Sequence, residues 1–224
     1  MRKFEISPDE TRAIVDAAGC RILERVELYD GHNAFEIDCG THGHKVDLLG
    51  ALAEADADLP DVRRIAEDVT AGATTDAERA RALHQFVKDR VSFVKEKRET
   101  FSPTLRTLEI GQGDCDDSAR ALMALLRAMD LPARLETLPS RASGEVPLHV
   151  AAQAQLGGRW VWLETSIDAL PGEHPLAAAK RLGISTRAEL ASLGDPTLLD
   201  ESTAWVGPAL VAVAVGALWW MSRR

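Results

Sequence analysis

The stretch GQGDCDDSARALMALLRAM, residues 111–129, places one cysteine where a glycine-rich turn is predicted to become a helix. The apolar residues after Cys115 recur at helical spacing, and Pro132 predicts where that helix has ended. A helix N-terminus supplies free amide donors and partial positive charge, which favour a thiolate. Asp116 and Asp117 also favour a helix start, but their negative charge opposes a thiolate. The stretch therefore predicts a helix that begins at Cys115. The cysteine could be a nucleophile that depends on a nearby imidazole, a metal ligand or a buried small residue.

Length and composition set the class of protein. The 224 residues suffice for one sizeable domain or a core domain with a small appendage, and 46% hydrophobic with 27% charged residues is typical of globular proteins. A net charge of −9 argues against a nucleic-acid partner, since no basic stripe is present to neutralise phosphates. Besides Cys115 there are only Cys20 and Cys39, too few for a disulfide framework. This usage favours a reducing compartment and a cytoplasmic domain, with a Cys20–Cys39 bond as an alternative.

The order of predicted elements indicates an α+β fold in which the cysteine-bearing helix packs on an antiparallel sheet. RILERVELYD and AFEIDCG, joined by GHN, predict a hairpin in a β-rich N-terminal segment. LPDVRRIAEDVTAG and TTDAERARALHQFVKDRVSFV predict two helices, the second opened by a Thr75/Glu78 capping box. After the Cys115 helix come three strand-like runs, ARLETL, LHVAAQAQL and RWVWLET, with Gly157-Gly158 as a hairpin turn. STRAELASL predicts one further short helix.

Four segments result from this pattern. They are an N-terminal β-rich segment over 1–55, a core over 56–170, a linker or covering segment over 171–203, and an apolar helix over 204–222. Residues 205–221 are uniformly apolar, with tryptophans near both ends and two arginines closing the sequence. That pattern predicts a short membrane span, which would make the protein membrane-associated through a single C-terminal pass. A buried or oligomer-packing helix in a soluble protein is the alternative.

Two further residues complete a candidate catalytic group with Cys115. His149 lies in an alternating run, so one face of its strand could direct the imidazole toward the preceding helix. Glu164 ends the strand that should pair with the His149 strand through Gly157-Gly158. Both residues then fall near the far ends of one hairpin, and the order Cys, His, carboxylate fits an activated nucleophile.

The residues from about 59 to 167 resemble a transglutaminase-like, papain-related cysteine hydrolase domain of bacterial or phage type. The resemblance rests on DAERARALHQFVKDRVSFV, on SPTLRTLEIGQGDCDDSARALMALLRAMDLPARL, on LHVAAQAQLGGRWVWLET and on their order. It implies Cys115 as nucleophile, His149 as general base and Glu164 as the residue that orients His149. Gln112, or the backbone amide of Cys115, is the candidate oxyanion donor. The family usually has Asp-Pro-Thr where this chain has Glu164 and then Thr-Ser.

The resemblance implies a thiol-dependent amide hydrolase or acyl transferase that acts on a peptide or protein and needs no cofactor. With water as acceptor the reaction is proteolysis or amide hydrolysis, which we expect, and with a lysine amine it is crosslinking. The alternative is a catalytically weak or inactive module of the same fold. Such a module would bind a peptide or partner protein, or serve a phage assembly, held in place by its C-terminal helix. The oligomeric state is left open.

The remaining histidines and tryptophans carry weaker signals. CGTHGH offers Cys39, His42 and His44 at metal-like spacing, with His32 nearby, but no second cluster completes a four-ligand site, and we expect no metal. We expect the other two histidines, at positions 84 and 174, to be structural or solvated. Likewise, the two tryptophans at positions 160 and 162 are expected to lie in the core or to line a groove.

Overall fold

The structure, a computed structural model, describes residues 8–27, 33–94, 101–139, 147–182 and 209–213. Runs of helices and runs of strands follow one another in these ranges, as expected for an α+β protein. In chain order the elements are α1 (Pro8–Ala17), β1 (Arg21–Glu27), β2 (Asn33–Asp38), α2 (His42–Ala57), α3 (Pro60–Thr70), α4 (Asp76–Arg90), β3 (Ser92–Phe93), α5 (Thr104–Ile110), β4 (Gln112–Gly113), α6 (Cys115–Ala128), β5 (Ala133–Pro139), β6 (Pro147–Leu156), β7 (Arg159–Leu163), α7 (Pro175–Arg181) and β8 (Ala209–Val213).

Helix α6 lies at the centre of the fold. Of its 14 residues, all but Cys115 and Arg127 are buried, and Leu122 and Leu125 have no exposed surface. The helix contacts α2, α3, α4 and α5 as well as strands β5 and β6. Because its sides are covered by these elements, the apolar sequence after Cys115 is explained by burial all around the helix.

The sheet that α6 packs against is antiparallel, in the order β5-β6-β7. The predicted turn between β6 and β7 is confirmed, since Gly157 and Gly158 have φ angles of +57° and +77°. Two successive positive φ angles fit the two-residue hairpin turns whose twist matches the flanking strands. Strand β7 pairs with β6 from Leu156 only as far as Ala152, so the earlier residues of β6 extend beyond the end of β7.

The predicted N-terminal hairpin is confirmed, with Arg21 opposite Asp38 in the antiparallel pair β1–β2. Two helices that the sequence analysis did not predict flank it, α1 before and α2 after. Helix α2 begins at an N-cap, Thr41, and continues past residue 55 to pack on α6. Cys20 and Cys39 form a disulfide with a Cα–Cα distance of 4.1 Å, which selects the alternative over three free cysteines.

The two predicted helices that precede the cysteine are confirmed as α3 and α4. The capping box of α4 is also confirmed, because Thr75 accepts from the backbone N–H of Glu78, and the Glu78 carboxylate accepts from that of Thr75. Helix α5, which the sequence did not predict, starts directly after Pro103 at its N-cap. Helix α7, in the segment expected to be a linker, was also not predicted, and the predicted helix STRAELASL lies outside the described residues.

The expectation of an apolar helix over 204–222 is not supported. The five described residues of that segment, Ala209–Val213, form strand β8, which pairs antiparallel with β2. In a helix the backbone groups bond to one another, whereas an apolar strand can bond to the open edge of β2. Two of the five residues are β-branched valines, which favour a strand. Among the described residues, no helix combines the length and apolar character needed to cross a bilayer. The membrane span stays a prediction.

Candidate active site

Two glycines shape the turn that leads into α6. Gly111 ends α5 in the left-handed region, with φ +71°, and a Cβ there would lie 2.9 Å from the carbonyl oxygen of Arg90. At Gly113 a Cβ would lie 2.8 Å from the Cβ of Asp117. Both separations are below ordinary contact distance, so each position requires glycine. The sequence GQG therefore allows the chain to turn tightly before Cys115.

Asp114 starts the helix and makes Cys115 its first residue. The Asp114 carboxylate accepts hydrogen bonds from the backbone N–H groups of Asp116 and Asp117, at 3.1 and 3.3 Å. These bonds satisfy two of the amides that a helix start leaves without intrahelical partners. The predicted position of Cys115 at a helix N-terminus is thus present in the structure.

The surroundings of Cys115 favour the neutral thiol. Burial of the sulfur and the charges of Asp114 and Asp116 raise its pKa well above the usual value, with a smaller contribution from Glu164. The backbone N–H of Val150, which donates to the sulfur, acts in the opposite direction. The flanking aspartates thus have the effect that the sequence predicted. At neutral pH the resting Cys115 is a thiol, and a base must remove its proton during attack.

His149 and Glu164 form a buried pair at the end of the hairpin, as the sequence predicted. Their side chains are each 1% exposed, and His149 Nε2 lies 2.5 Å from Glu164 Oε2. His149 Nδ1 is buried and has no hydrogen-bond partner among the described residues. Glu164 therefore engages one ring nitrogen, and the other is left for a proton donor such as a thiol.

A second hydrogen bond orients the Glu164 carboxylate. Its Oε1 accepts from the backbone N–H of Ser166 at 2.6 Å. Burial alone would raise the pKa of Glu164, but His149 and Ser166 outweigh that effect and hold the pKa below its usual value. The carboxylate is thus ionised, and it can stabilise a positive charge on His149. Glu164 therefore contacts His149, although its side chain is one methylene longer than the aspartate that is usual in the family that the sequence resembles.

The backbone of β6 brings Cys115 near this pair. Val150, whose N–H points to the Cys115 sulfur, directly follows His149 and lies beyond the end of β7. The described structure contains no hydrogen bond between His149 Nδ1 and the thiol. In cysteine and serine enzymes without substrate, such contacts are commonly longer than in the reacting complex.

Hydroxyl groups line a small cavity beside the start of α6. Ser118 Oγ accepts from Thr165 Oγ1 at 3.1 Å and lies 3.5 Å from Ser166 Oγ. The cavity has room for about one water molecule and is also bordered by Asp114 and Gly113. It lies between the residues that flank Cys115 and those that follow Glu164.

Gln112, the candidate oxyanion donor, lies in β4, is exposed, and is paired with Ser92 of β3. Its role stays a prediction, as does that of the Cys115 amide. One residue that the sequence analysis considered structural or solvated contacts the site: His84 of α4 is buried, and its Nε2 lies 2.5 Å from the backbone oxygen of Glu164. The signal for its burial was present, because residues 80, 83, 84 and 87 form one face of α4.

The weak metal-ligand pattern in CGTHGH loses one candidate ligand, because the Cys39 sulfur is in the disulfide. His44 Nδ1 also lies 2.9 Å from the Cys39 carbonyl oxygen, and His32 lies outside the described residues. Asp114, Cys115 and Asp116 bring ligand atoms within 4.8 Å of one another. The Asp114 oxygen already accepts the two helix N–H bonds, so this group is first of all a helix cap.

The remaining predicted residues border the sheet. Trp160 is 39% exposed, and the Arg134 guanidinium lies 4.4 Å from the centre of its ring. Trp162 meets the ring of His174 edge-on at 5.0 Å, and His174 caps α7 by accepting from Leu176 N–H. His174 is thus structural, as expected, whereas neither tryptophan lies in the core, because Trp160 is exposed and Trp162 is only partly buried.

Residues 63–165 match the sequence model of the Transglutaminase-like superfamily, which confirms the resemblance seen in the motifs. No curated protein matches the chain significantly. Similar solved structures include a "putative protease" from Parabacteroides distasonis, with 14% identity, a TM-score of 0.41, and coverage of 52% of this chain and 26% of that one. A "putative cysteine protease" from Cytophaga hutchinsonii has 15% identity, a TM-score of 0.44 and 66% coverage of each chain. A "TGase" has 14% identity, a TM-score of 0.35, and coverage of 74% and 50%. This chain thus spans about a quarter of the length of the first of these proteins.

Proposed function

We propose that the transglutaminase-like segment at 63–165 is a thiol-dependent acyl-transfer enzyme that cleaves an amide bond of a peptide or protein. The observation that carries the proposal is the buried His149–Glu164 pair, which has one ring nitrogen unengaged beside the strand backbone that contacts Cys115. A buried imidazole–carboxylate pair next to a sulfur at a helix start is the arrangement that nucleophilic catalysis requires.

The first half-reaction forms a thioester. The Cys115 sulfur attacks the carbonyl carbon of the substrate amide while His149 Nδ1 accepts the thiol proton, since the resting thiol is neutral. The resulting imidazolium is stabilised by the ionised Glu164. His149 then gives the proton to the amide nitrogen, the carbon–nitrogen bond breaks, and the amine leaves.

The second half-reaction releases the acyl group. An acceptor attacks the thioester carbon, His149 takes the proton of the acceptor, and the sulfur leaves and regains a proton from His149. With water as acceptor the product is a carboxylic acid, and with a lysine amine it is a new amide. We propose water as the acceptor. The Cys115 amide, with Gln112 as a candidate side-chain donor, would stabilise the charge on the carbonyl oxygen.

Two assays on the full chain test this proposal. Fluorescently labelled casein reports hydrolysis, and incorporation of a fluorescent primary amine into casein reports transfer to an amine. We expect a slow release of labelled peptides that is abolished in Cys115→Ala, with little amine incorporation. A Cys115→Ala variant that retains wild-type release would refute the proposal. Amine incorporation in place of peptide release would assign the same thioester chemistry to crosslinking.

A non-catalytic module is the second candidate. The lack of a hydrogen bond between His149 Nδ1 and the Cys115 thiol in the described residues favours it, because a protonated thiol is a poor nucleophile without its base. In this case the fold would bind a peptide or a partner protein, in a cell or in a phage particle. The variant Cys115→Ala distinguishes the two candidates. A binding module would still bind its partner in that variant, whereas an enzyme would lose its turnover of substrate.

A further inference from the structure

His84 makes a hydrogen bond that the proposed mechanism does not use. It lies on α4, is 1% exposed, and its Nε2 is 2.5 Å from the backbone oxygen of Glu164. A carbonyl oxygen only accepts, so Nε2 must carry the hydrogen. Its Nδ1 has no hydrogen-bond partner in the part of the chain that the structure describes. Burial is the main cause that lowers the pKa of His84, with Lys88 acting in the same direction against a contribution from Glu164, so the ring is neutral.

The position of this bond is what gives it significance. Strand β7 ends at Leu163, so the backbone of Glu164 is beyond the ladder of the sheet. The Glu164 carboxylate is held by His149 and by Ser166, but its backbone is tied to the helical core through His84. The position of a carboxylate depends on the position of its backbone. Fixing the backbone matters more for glutamate, because its side chain is longer than that of aspartate.

An apolar side chain would satisfy the packing at position 84. The neighbours on the same face of α4, Ala80, Leu83 and Val87, are fully buried. Burying an imidazole among them costs desolvation energy that leucine would not require, and one ring nitrogen stays without a partner. Packing alone therefore does not account for a histidine here, whereas the bond to Glu164 does.

We propose that His84 is a positioning residue for the candidate triad, which fixes the backbone of Glu164 so that its carboxylate meets His149 Nε2. This inference rests on the proposed function for its catalytic consequence, but not for the geometry it concerns. The hydrogen bond of His84 is to the backbone of Glu164, so His84 acts through that residue.

Two amide variants of different length test the role. His84→Gln places an amide N–H near the position of Nε2, whereas the shorter His84→Asn does not reach the Glu164 oxygen. Since misplacing a reacting group by about 1 Å can cost about 10²-fold in rate, we expect His84→Asn to lower kcat/KM by about tenfold or more and His84→Gln to restore most of it. The pH–rate profile should change in His84→Asn, because the displaced carboxylate of Glu164 no longer meets His149. Val87→Ala, one turn further along α4, is the matched control, and we expect it to lower stability without changing the profile.

A spectroscopic readout separates this proposal from the proposed function. In ¹⁵N-histidine-labelled protein, the Nε2 proton of His149 reports its bond to Glu164. We expect its chemical shift to change in His84→Asn, to return in His84→Gln and to stay unchanged in Val87→Ala. If the wild type has no Cys115-dependent activity but the shifts follow this pattern, the proposed function fails and the positioning role stands. The positioning role is overturned if the chemical shift changes by the same amount in His84→Asn and His84→Gln. It is also overturned if Val87→Ala changes the chemical shift as much as His84→Asn does.

Discussion

Replacing Asp56 by asparagine tests how helix α6, which begins at Cys115, is held in the fold. Asp56, on α2, and Arg120, on α6, form an ion pair at 2.9 Å in which both side chains are 1% exposed. The same Asp56 oxygen accepts from the backbone N–H and the hydroxyl of Thr104, at 3.0 and 2.7 Å. Arg120 also donates to the carbonyl oxygen of Phe101 at 3.1 Å. The pair therefore joins α2, α6 and the residues that lead into α5.

The expected loss of stability follows from burial. Asparagine keeps the shape of Asp56 and one oxygen for Thr104, but it leaves the Arg120 guanidinium without a counter-charge in the core. Removing one partner of a buried ion pair costs about 3–5 kcal/mol, and we expect Asp56→Asn to lower the free energy of unfolding by about 3 kcal/mol because some hydrogen bonds persist. The total free energy of unfolding of a domain is about 5–15 kcal/mol, so this loss would be a large fraction of it.

The chain offers a matched control between the same two helices. Glu54 and Arg127 form an ion pair at 2.8 Å, but their side chains are 44% and 36% exposed. Exposed pairs contribute about 0–1 kcal/mol, so Glu54→Gln should change the free energy of unfolding by less than about 1 kcal/mol. Urea unfolding followed by circular dichroism, with the disulfide intact in every variant, measures both values. A difference between the two variants of under about 1 kcal/mol would refute the reasoning, because burial would then not decide the value of the pair.

Three further predictions concern the turn, a helix cap and the thiol. Gly113→Ala should destabilise the fold by about 1–3 kcal/mol in urea unfolding, since its Cβ would meet that of Asp117, and an unchanged midpoint would contradict this. The pKa of Glu78 is lowered from 4.5 to about 2, first by the backbone N–H of Thr74 and then by its hydroxyl, so its contribution to stability is present above pH 4.5 and is lost as the pH falls through about 2. Glu78→Gln should therefore lower the melting temperature much more at pH 7 than at pH 2, and an equal decrease at both would speak against the cap. Iodoacetamide should label native Cys115 alone, at a rate that still rises above pH 9 because the pKa of the thiol is raised. A plateau near pH 7 would instead indicate a stable thiolate.

The parts of the fold that the sequence predicted depend on local chemistry. The capping box of α4 and the Gly157-Gly158 turn are specified by residues a few positions apart, so they could be read directly. The meeting of His149 and Glu164 was also predictable, because a hairpin turn fixes which residues of two strands lie near each other.

The parts that were missed depend on contacts distant in sequence. Helix α5 was not predicted, because a proline such as Pro103 is typical of loops. A proline just before a helix is, however, also compatible with the start of that helix. The disulfide is consistent with the predicted hairpin, whose register brings Cys20 toward Cys39, although the small number of cysteines favours a reducing compartment. His84 was classified from its residue type, and only the tertiary fold shows that its partner is the backbone of Glu164.

The coupling between His149 and Glu164 in the acylation of Cys115 tests the central claim most directly. The measurement is the initial burst of nitrophenolate from p-nitrophenyl acetate in His149→Gln, in Glu164→Gln and in the double variant, with Cys115→Ala as the blank. A general base contributes about 10²–10⁴-fold, so we expect a loss of that order in His149→Gln, a smaller loss in Glu164→Gln, and a double variant no slower than His149→Gln alone. Losses that multiply in the double variant, or a wild-type burst equal to that of Cys115→Ala, would contradict the account.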